Sequence, residues 1–317
     1  MATFQTYQSI GNREDLTDVI YNISPTDTPF MSSVGKTKAS AVYHEWQTDA
    51  LAAAVANNAA VEGADATSLT VTPTVRVGNR TQISTKTVQI AGTQESVDKA
   101  GRKSEKAYQL AKASSELKRD MEKTLLSNNV AAAGNSNTAR TLGGLQAWLS
   151  TNAVLGATGT AGSGGTTARV SGTDAAFTET MLKSAVKSAF EQGGNPSVLM
   201  VTPTQKQVVS GFAGIAAQRY EAPKNAATTI IGAADVYLSD FGTLSVVPNR
   251  FMTADTNDNG EVAFVLDPEY AAVAYLRPFQ TNELAKTGDS EKTQLLVEYT
   301  LEVKNEKAHA IIADLAE

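Results

Sequence analysis

Residues 93–130 read TQESVDKAGRKSEKAYQLAKASSELKRDMEKTLLSNNV, and the organisation of this stretch governs how the rest of the chain is arranged. Leu110, Ser114, Leu117, Met121 and Leu125 recur at spacings of four, three, four and four, which is one face of an α-helix. Thr93 is the candidate N-cap. The remaining faces carry eight Lys/Arg against six Asp/Glu between Glu95 and Lys123, a balance too even for a nucleic-acid-binding stripe. Gly101 weakens the first third by roughly 1 kcal/mol relative to alanine. As a single helix the stretch would run about 57 Å, several times the length of an ordinary helix, and would act as a spine.

On its N-terminal side the chain is extended. Leu51 to Ala66 is alanine-rich and nearly uncharged, and Leu69 to Val77 is β-rich with Pro73 inside it. Gly78-Asn79 is a turn signal, and Thr81 to Ile90 alternates again. We read residues 45–92 as a long two-stranded hairpin or loop, with the proline at an edge or bulge. Further upstream, Leu16, Val19, Ile20 and Ile23 make one short amphipathic helix capped at Asn12 and stopped by Ser24-Pro25 and Thr28-Pro29. Neither the short helix nor a lone hairpin buries its own apolar stripe. Both need a partner surface.

On the C-terminal side, Gly134 to Gly172 is a glycine-rich break around an apolar island of Leu142, Leu145, Trp148 and Leu149. From Asp174 the pattern is α/β. A helix capped at Thr173 or Asp174 carries Phe177, Met181, Leu182, Ala185, Val186 and Ala189 inward and ends at Gly193-Gly194. The strand Ser197–Val201 follows, then a helix opened by Thr202-Pro203. Ala234–Val247 reads as a strand pair turned at Asp240-Phe241-Gly242. Val262–Leu266, Ala271–Leu276, Gln294–Lys304 and Ala308–Ala313 are further strands.

Composition removes whole classes of function. The 317 residues contain no cysteine and two histidines, so thiolate metal sites, disulfides, thiol nucleophiles and multi-histidine clusters are unavailable. No apolar run reaches the ~18–20 residues of a membrane span, and the N-terminus lacks a signal-peptide pattern. A net charge of −6 argues against a dedicated nucleic-acid binder without excluding a protein that encloses nucleic acid. Gly35-Lys36-Thr37 ends like a phosphate-binding loop, but Phe30 stands where the leading glycine belongs. Asp255, Asn257, Asn259 and Gly260 match half of a calcium loop, with Leu266 at the position of its bidentate glutamate, which makes an Asx-rich turn the better description. His44 and Glu45 are neighbours in an extended segment and point to opposite faces. His309 sits in an apolar run, as structural histidines do. The glycines at 156–165 lack dinucleotide-loop spacing. We therefore expect no catalytic, cofactor or metal site, and no enzyme.

An arm, an unsupported hairpin, a spine and an α/β portion describe a building block with large surfaces shared between copies. Thr28-Pro29-Phe30-Met31-Ser32-Ser33-Val34-Gly35-Lys36-Thr37-Lys38-Ala39, followed by His44-Glu45-Trp46-Gln47-Thr48-Asp49, resembles the TPF…GK.KA…HEWQTD pattern of the SU10-like family of tailed-bacteriophage major capsid proteins. The order of elements is similar to the α+β HK97 capsid fold over essentially the whole chain. That resemblance implies an N-terminal arm (1–44), an E-loop hairpin (45–92) lying over an adjacent subunit, a P-domain of spine helix and strands (93–134 and 251–317), and an α/β A-domain (135–250) at the five- and six-fold centres. It implies pentamers and hexamers of an icosahedral head enclosing double-stranded DNA without sequence specificity. The implied location is the virion, with assembly in the host cytoplasm.

Implied partners are other copies, a portal and, since the chain opens directly on its arm, a separate scaffolding protein. A decoration protein is a further candidate, and no membrane is involved. The polar loop Thr281–Lys292 would lie near three-fold contacts, with Glu283, Lys286, Asp289, Glu291 and Lys292 expected in intersubunit ion pairs; an ordinary solvated hairpin is the alternative. An encapsulin-type nanocompartment shell shares the expected fold. A flagellin-like filament subunit suits the composition, but such proteins place long helices at both termini.

Overall fold

The computed structural model describes residues 27–63, 65, 66, 68, 70–98, 101, 103–212, 235–252 and 261–316. The amphipathic segment at 12–23 and the Asx-rich turn at 255–260 lie outside the described residues. In chain order the helices are α1 (Pro29–Ser33), α2 (Gly92–Ser96), α3 (Glu105–Leu126), α4 (Leu145–Trp148), α5 (Glu179–Glu191) and α6 (Pro203–Ser210). The strands are β1 (Gly35–Lys38), β2 (Tyr43–Thr48), β3 (Val75–Arg80), β4 (Gln82–Ala91), β5 (Ala153–Val154), β6 (Val198–Val201), β7 (Val236–Ser239), β8 (Gly242–Pro248), β9 (Glu261–Leu266), β10 (Ala271–Leu284), β11 (Ser290–Val303) and β12 (Ala310–Leu315).

The spine is shorter than its sequence promises. Ser104, not Thr93, caps α3, its side chain accepting the Ala107 N–H at 3.2 Å. Thr93 lies inside the separate short helix α2. Between them the chain turns extended at Val97, and Gly101 takes a φ of +75°, a left-handed value that no α-helix contains. The glycine therefore stands in a break between two helices rather than weakening one. The 22 residues of α3 span about 33 Å at 1.5 Å per residue. The expected stripe is inward: Leu117, Met121 and Leu125 are buried, with Leu110 and Ser114 half-buried beside them.

The hairpin also differs. Gly78 and Asn79 stand inside β3, which pairs antiparallel with β2, while β4 pairs along its length with β11. Asn79 holds this arrangement. Its buried carboxamide donates to the carbonyls of Gly143 and Leu301 at 3.0 and 2.9 Å and accepts from Gly143 N at 2.8 Å. Gly78 permits close approach of the paired strand, since a Cβ there would fall 2.7 Å from the His44 carbonyl. A residue pair common in turns thus serves here for packing. Pro73 lies just ahead of β3, outside the ladder.

Two sheets organise the body. The first has the order β1-β10-β11-β4 and the second β5-β12-β9-β6-β8-β7. Residues 251–317, grouped in the sequence with the spine, contribute to both: β10 and β11 form the long hairpin of the first sheet, while β9 and β12 run through the second. Every residue of β9 and β12 is buried, as expected for strands covered on both faces. On one face, α5 and α6 cover Leu199, Val201, Val246, Ala263 and Ile312. On the other, Met200, Phe264 and Ile311 join a core with Leu117, Met121 and Leu125 of the spine, Val297 and Tyr299 of β11, and Phe30.

The α/β signals from 174 onward correspond closely to these elements. The caps are Thr178 for α5, rather than Thr173 or Asp174, and Thr202 for α6, with Pro203 in its first turn. Gly193, at φ +93°, follows the end of α5. The glycine-rich break at 134–172 is packed rather than loose. Leu142, Leu145, Trp148 and Leu149 are buried, and Gly165, at φ +69°, leaves no room for a Cβ beside the Trp148 indole, which such an atom would meet at 2.5 Å.

Candidate assembly surfaces

The run that carries the family resemblance is a set of packing contacts at the root of the β2–β3 hairpin. Phe30 is fully buried against the spine. Ala39 is buried, while Lys36 and Lys38 face outward from β1 at the edge of the first sheet, where charged side chains discourage unwanted strand pairing. His44 and Glu45 do point to opposite faces. His44 Nε2 meets Glu302 Oε2 at 3.2 Å, which also accepts from Thr37 Oγ1 at 2.7 Å, while Glu45 pairs with Arg76 at 2.9 Å. Trp46 lies between His44 and Trp148, with ring centroids 5.8 and 5.4 Å away. The hairpin root is thereby fixed to the body by stacking and hydrogen bonds.

Beyond that root the β2–β3 hairpin leaves the body. The described residues from 49 to 74 are all exposed and lie outside helix and strand. Leu51 is fully exposed, Val71 is 83% and Val61 79% exposed. A run of apolar side chains with no cover marks an interaction surface.

The five polar residues at the tip of the β10–β11 hairpin are partly drawn together within the chain, by a lysine that the sequence reading missed. Lys106, in the first turn of α3, reaches Glu283 at 3.0 Å and Glu291 at 3.2 Å, and Lys286 reaches Glu291 at 2.7 Å. Hydrogen bonds from Lys286 and Lys106 hold the Glu291 carboxyl below the usual range, and those with Glu283 and Glu291 raise Lys106. Lys292 donates to Thr287 Oγ1 at 3.2 Å, and the Asp289 carbonyl accepts the Gly92 N–H at 3.2 Å. The hairpin itself turns over 285–289. No local periodicity pairs position 106 with 283 and 291. Only the fold does.

The remaining titratable groups inside the body serve structure. Glu298 joins Arg277 at 2.7 Å, Thr81 at 2.9 Å and Arg140. Arg169 and Asp314 form a fully buried pair at 2.6 Å, with Asp314 also accepting the Gly156 N–H at 3.0 Å. His309 is buried, its Nδ1 accepting the Asp267 N–H at 3.2 Å, and burial pushes its pKa down to about 4. Among the described residues no group of three or more His, Cys, Asp or Glu could hold a metal ion, and no helix is long and apolar enough to cross a membrane.

Comparison with known proteins places this geometry. Residues 2–316 match the model of the family described as SU10 major capsid protein. The chain is 27% identical to the major capsid protein of Escherichia phage Phieco32, with 98% of this chain and 96% of that one covered. Among solved structures, the cyanophage A-1(L) capsid asymmetric unit superposes with a TM-score of 0.69 at 12% identity over 99% of each chain. An encapsulin from Synechococcus elongatus superposes at 0.55 and 11% identity over 96% of this chain and 92% of its own. The architecture is the HK97-like α+β fold, and the family is one of structural capsid proteins rather than enzymes. The chain belongs to the SU10 major capsid protein family, the structural shell proteins of bacteriophages.

Proposed function

We propose that copies of this chain assemble through pentamers and hexamers into a closed icosahedral head around double-stranded DNA. The observation that carries this reading is the β2–β3 hairpin, whose apolar outer residues have no cover in the body. Residues 45–92 would lie across a neighbouring subunit as the E-loop, anchored by β4 in their own first sheet. Residues 1–44 would be the arm, and α3 with β10 and β11 the P-domain of 93–134 and 251–317. Residues 135–250 would form the A-domain around the five- and six-fold axes, sharing their sheet with β9 and β12. Lys106 gathers Glu283 and Glu291 within the chain, so Asp289 and Lys292 are the residues of the tip best placed for intersubunit ion pairs, each worth roughly 0–1 kcal/mol if exposed.

The net negative charge suits a shell that lines DNA without gripping it. The partners are a portal and a scaffolding protein, with a decoration protein as a further candidate, assembly in the host cytoplasm and final residence in the virion. The similarity to an encapsulin favours one second reading, a shell around protein cargo. Electron microscopy of particles purified from producing cells tests both. Heads filled with DNA support the first reading, protein-filled shells the second, and a chain that stays monomeric at high concentration contradicts both.

A further inference from the structure

The arm root, the spine and the second sheet meet at one carboxylate that the capsid reading does not use. The leading N–H groups of a helix have no acceptor within it, and Thr28, at the N-cap of α1, makes no side-chain cap bond. Glu122, in the last turns of α3, takes that place across the fold. Its Oε1 accepts the Phe30 N–H at 2.7 Å and its Oε2 the Met31 N–H at 3.0 Å. Oε1 also accepts from Nδ2 of Asn249 at 2.8 Å. Asn249 follows β8 directly and is fully buried. Its N–H donates to the Val201 carbonyl at the end of β6, at 2.8 Å, and its Oδ1 accepts the Phe251 N–H at 2.9 Å. Both ends of the Asn249 amide and its N–H are engaged, and Glu122 has three donors aimed at two oxygens.

We propose that Glu122 is a positioning residue that locks α1, at the root of the arm, to the ends of β6 and β8, so that α1 and the second sheet cannot shift independently. A carboxylate is required because only it offers two acceptor oxygens to three converging N–H groups. Glutamine, of the same shape, would turn an NH₂ toward one of the donors. Burial, the larger effect, raises the Glu122 carboxyl above its usual range, and the three donors oppose that rise. The consequence for a shell rests on the proposed function, but the coupling is a property of the single chain and is tested there.

The test is hydrogen–deuterium exchange on the full-length chain, unassembled, read by peptide. In Glu122→Gln, peptides spanning 28–34 should exchange about tenfold faster, as expected for the loss of one or two hydrogen bonds, while peptides of β9 and β12 keep their protection. In Asn249→Ala the carboxylate and both α1 donors remain, yet the same 28–34 peptides should exchange several-fold faster, because the third anchor is gone. Unchanged 28–34 exchange in Asn249→Ala overturns the proposal, even if Glu122→Gln fails to fold. A uniform loss of protection through β9 and β12 in either variant overturns it too, since Glu122 would then be a general stabilising residue. Altered arm exchange in a chain that forms no shells would leave this coupling standing and remove only the capsid reading.

Discussion

At the scale of single residues the body holds groups whose charge state folding decides. His309 is fully buried and neutral at pH 7, its pKa pushed down from 6.5 to about 4 by burial, with Asp267 and Glu306 opposing. The unfolded chain therefore binds a proton that the folded chain refuses. Stability from this group is fully present above pH 6.5 and is lost as the pH falls through 4, by about 3 kcal/mol in total. Urea unfolding between pH 7 and pH 4 should show this decline, and His309→Gln should flatten it. A wild-type slope equal to the variant's would contradict the assignment.

Asp314 raises a different question, because it combines a left-handed φ of +60° with a fully buried partner, Arg169. Asn tolerates that backbone better than most residues, so Asp314→Asn removes the charge and largely leaves the conformation. We expect it to cost about 3–5 kcal/mol by leaving Arg169 buried and uncompensated, measured by equilibrium denaturation. A change within experimental error would place the weight on backbone rather than charge. Lys106, Glu122 and Asp314 were silent in the sequence for one reason: each acts on partners 90 or more residues away, beyond any periodicity.

At the scale of elements, legibility followed how local the determining physics is. The Thr202-Pro203 start of α6, the turn at Asp240-Phe241 and the apolar face of α5 depend on neighbours within a turn or two, and the sequence shows them. Gly78-Asn79 and Gly101 depend on what lies across the fold, and their local statistics mislead. In the first case a turn signal serves close strand packing. In the second a helix-weakening residue is a true break, and this distinction has a sign. If residues 93–126 formed one helix, Gly101→Ala would stabilise the chain by roughly 1 kcal/mol. With φ at +75°, the Cβ strains the backbone and the same change should destabilise it by roughly 1–2 kcal/mol, read as a lower denaturation midpoint. Ser104→Ala should cost about 1 kcal/mol through the lost cap, whereas Thr93→Ala should cost little.

For the whole molecule, the division between body and projection carries the account. The body buries its own core on both faces of the second sheet, while the hairpin beyond Thr48 leaves Leu51, Val61 and Val71 uncovered. The sequence announced this imbalance through an extended, alanine-rich segment that could not stabilise itself. It did not announce which strands anchor the segment, because β4 pairs with β11 far along the chain, Gln89 meeting Ser290 across 201 residues. On the proposed reading this projection is an assembly element and not part of the fold.

Cryo-electron microscopy of particles from cells producing the full chain, compared with a chain lacking residues 50–72, tests that claim most directly. Closed shells are expected for the full chain, with hairpin density resting on a neighbouring subunit, and for the deletion a folded but unassembled protein. Normal shells from the deletion variant, or hairpin density folded back on its own subunit, would contradict it.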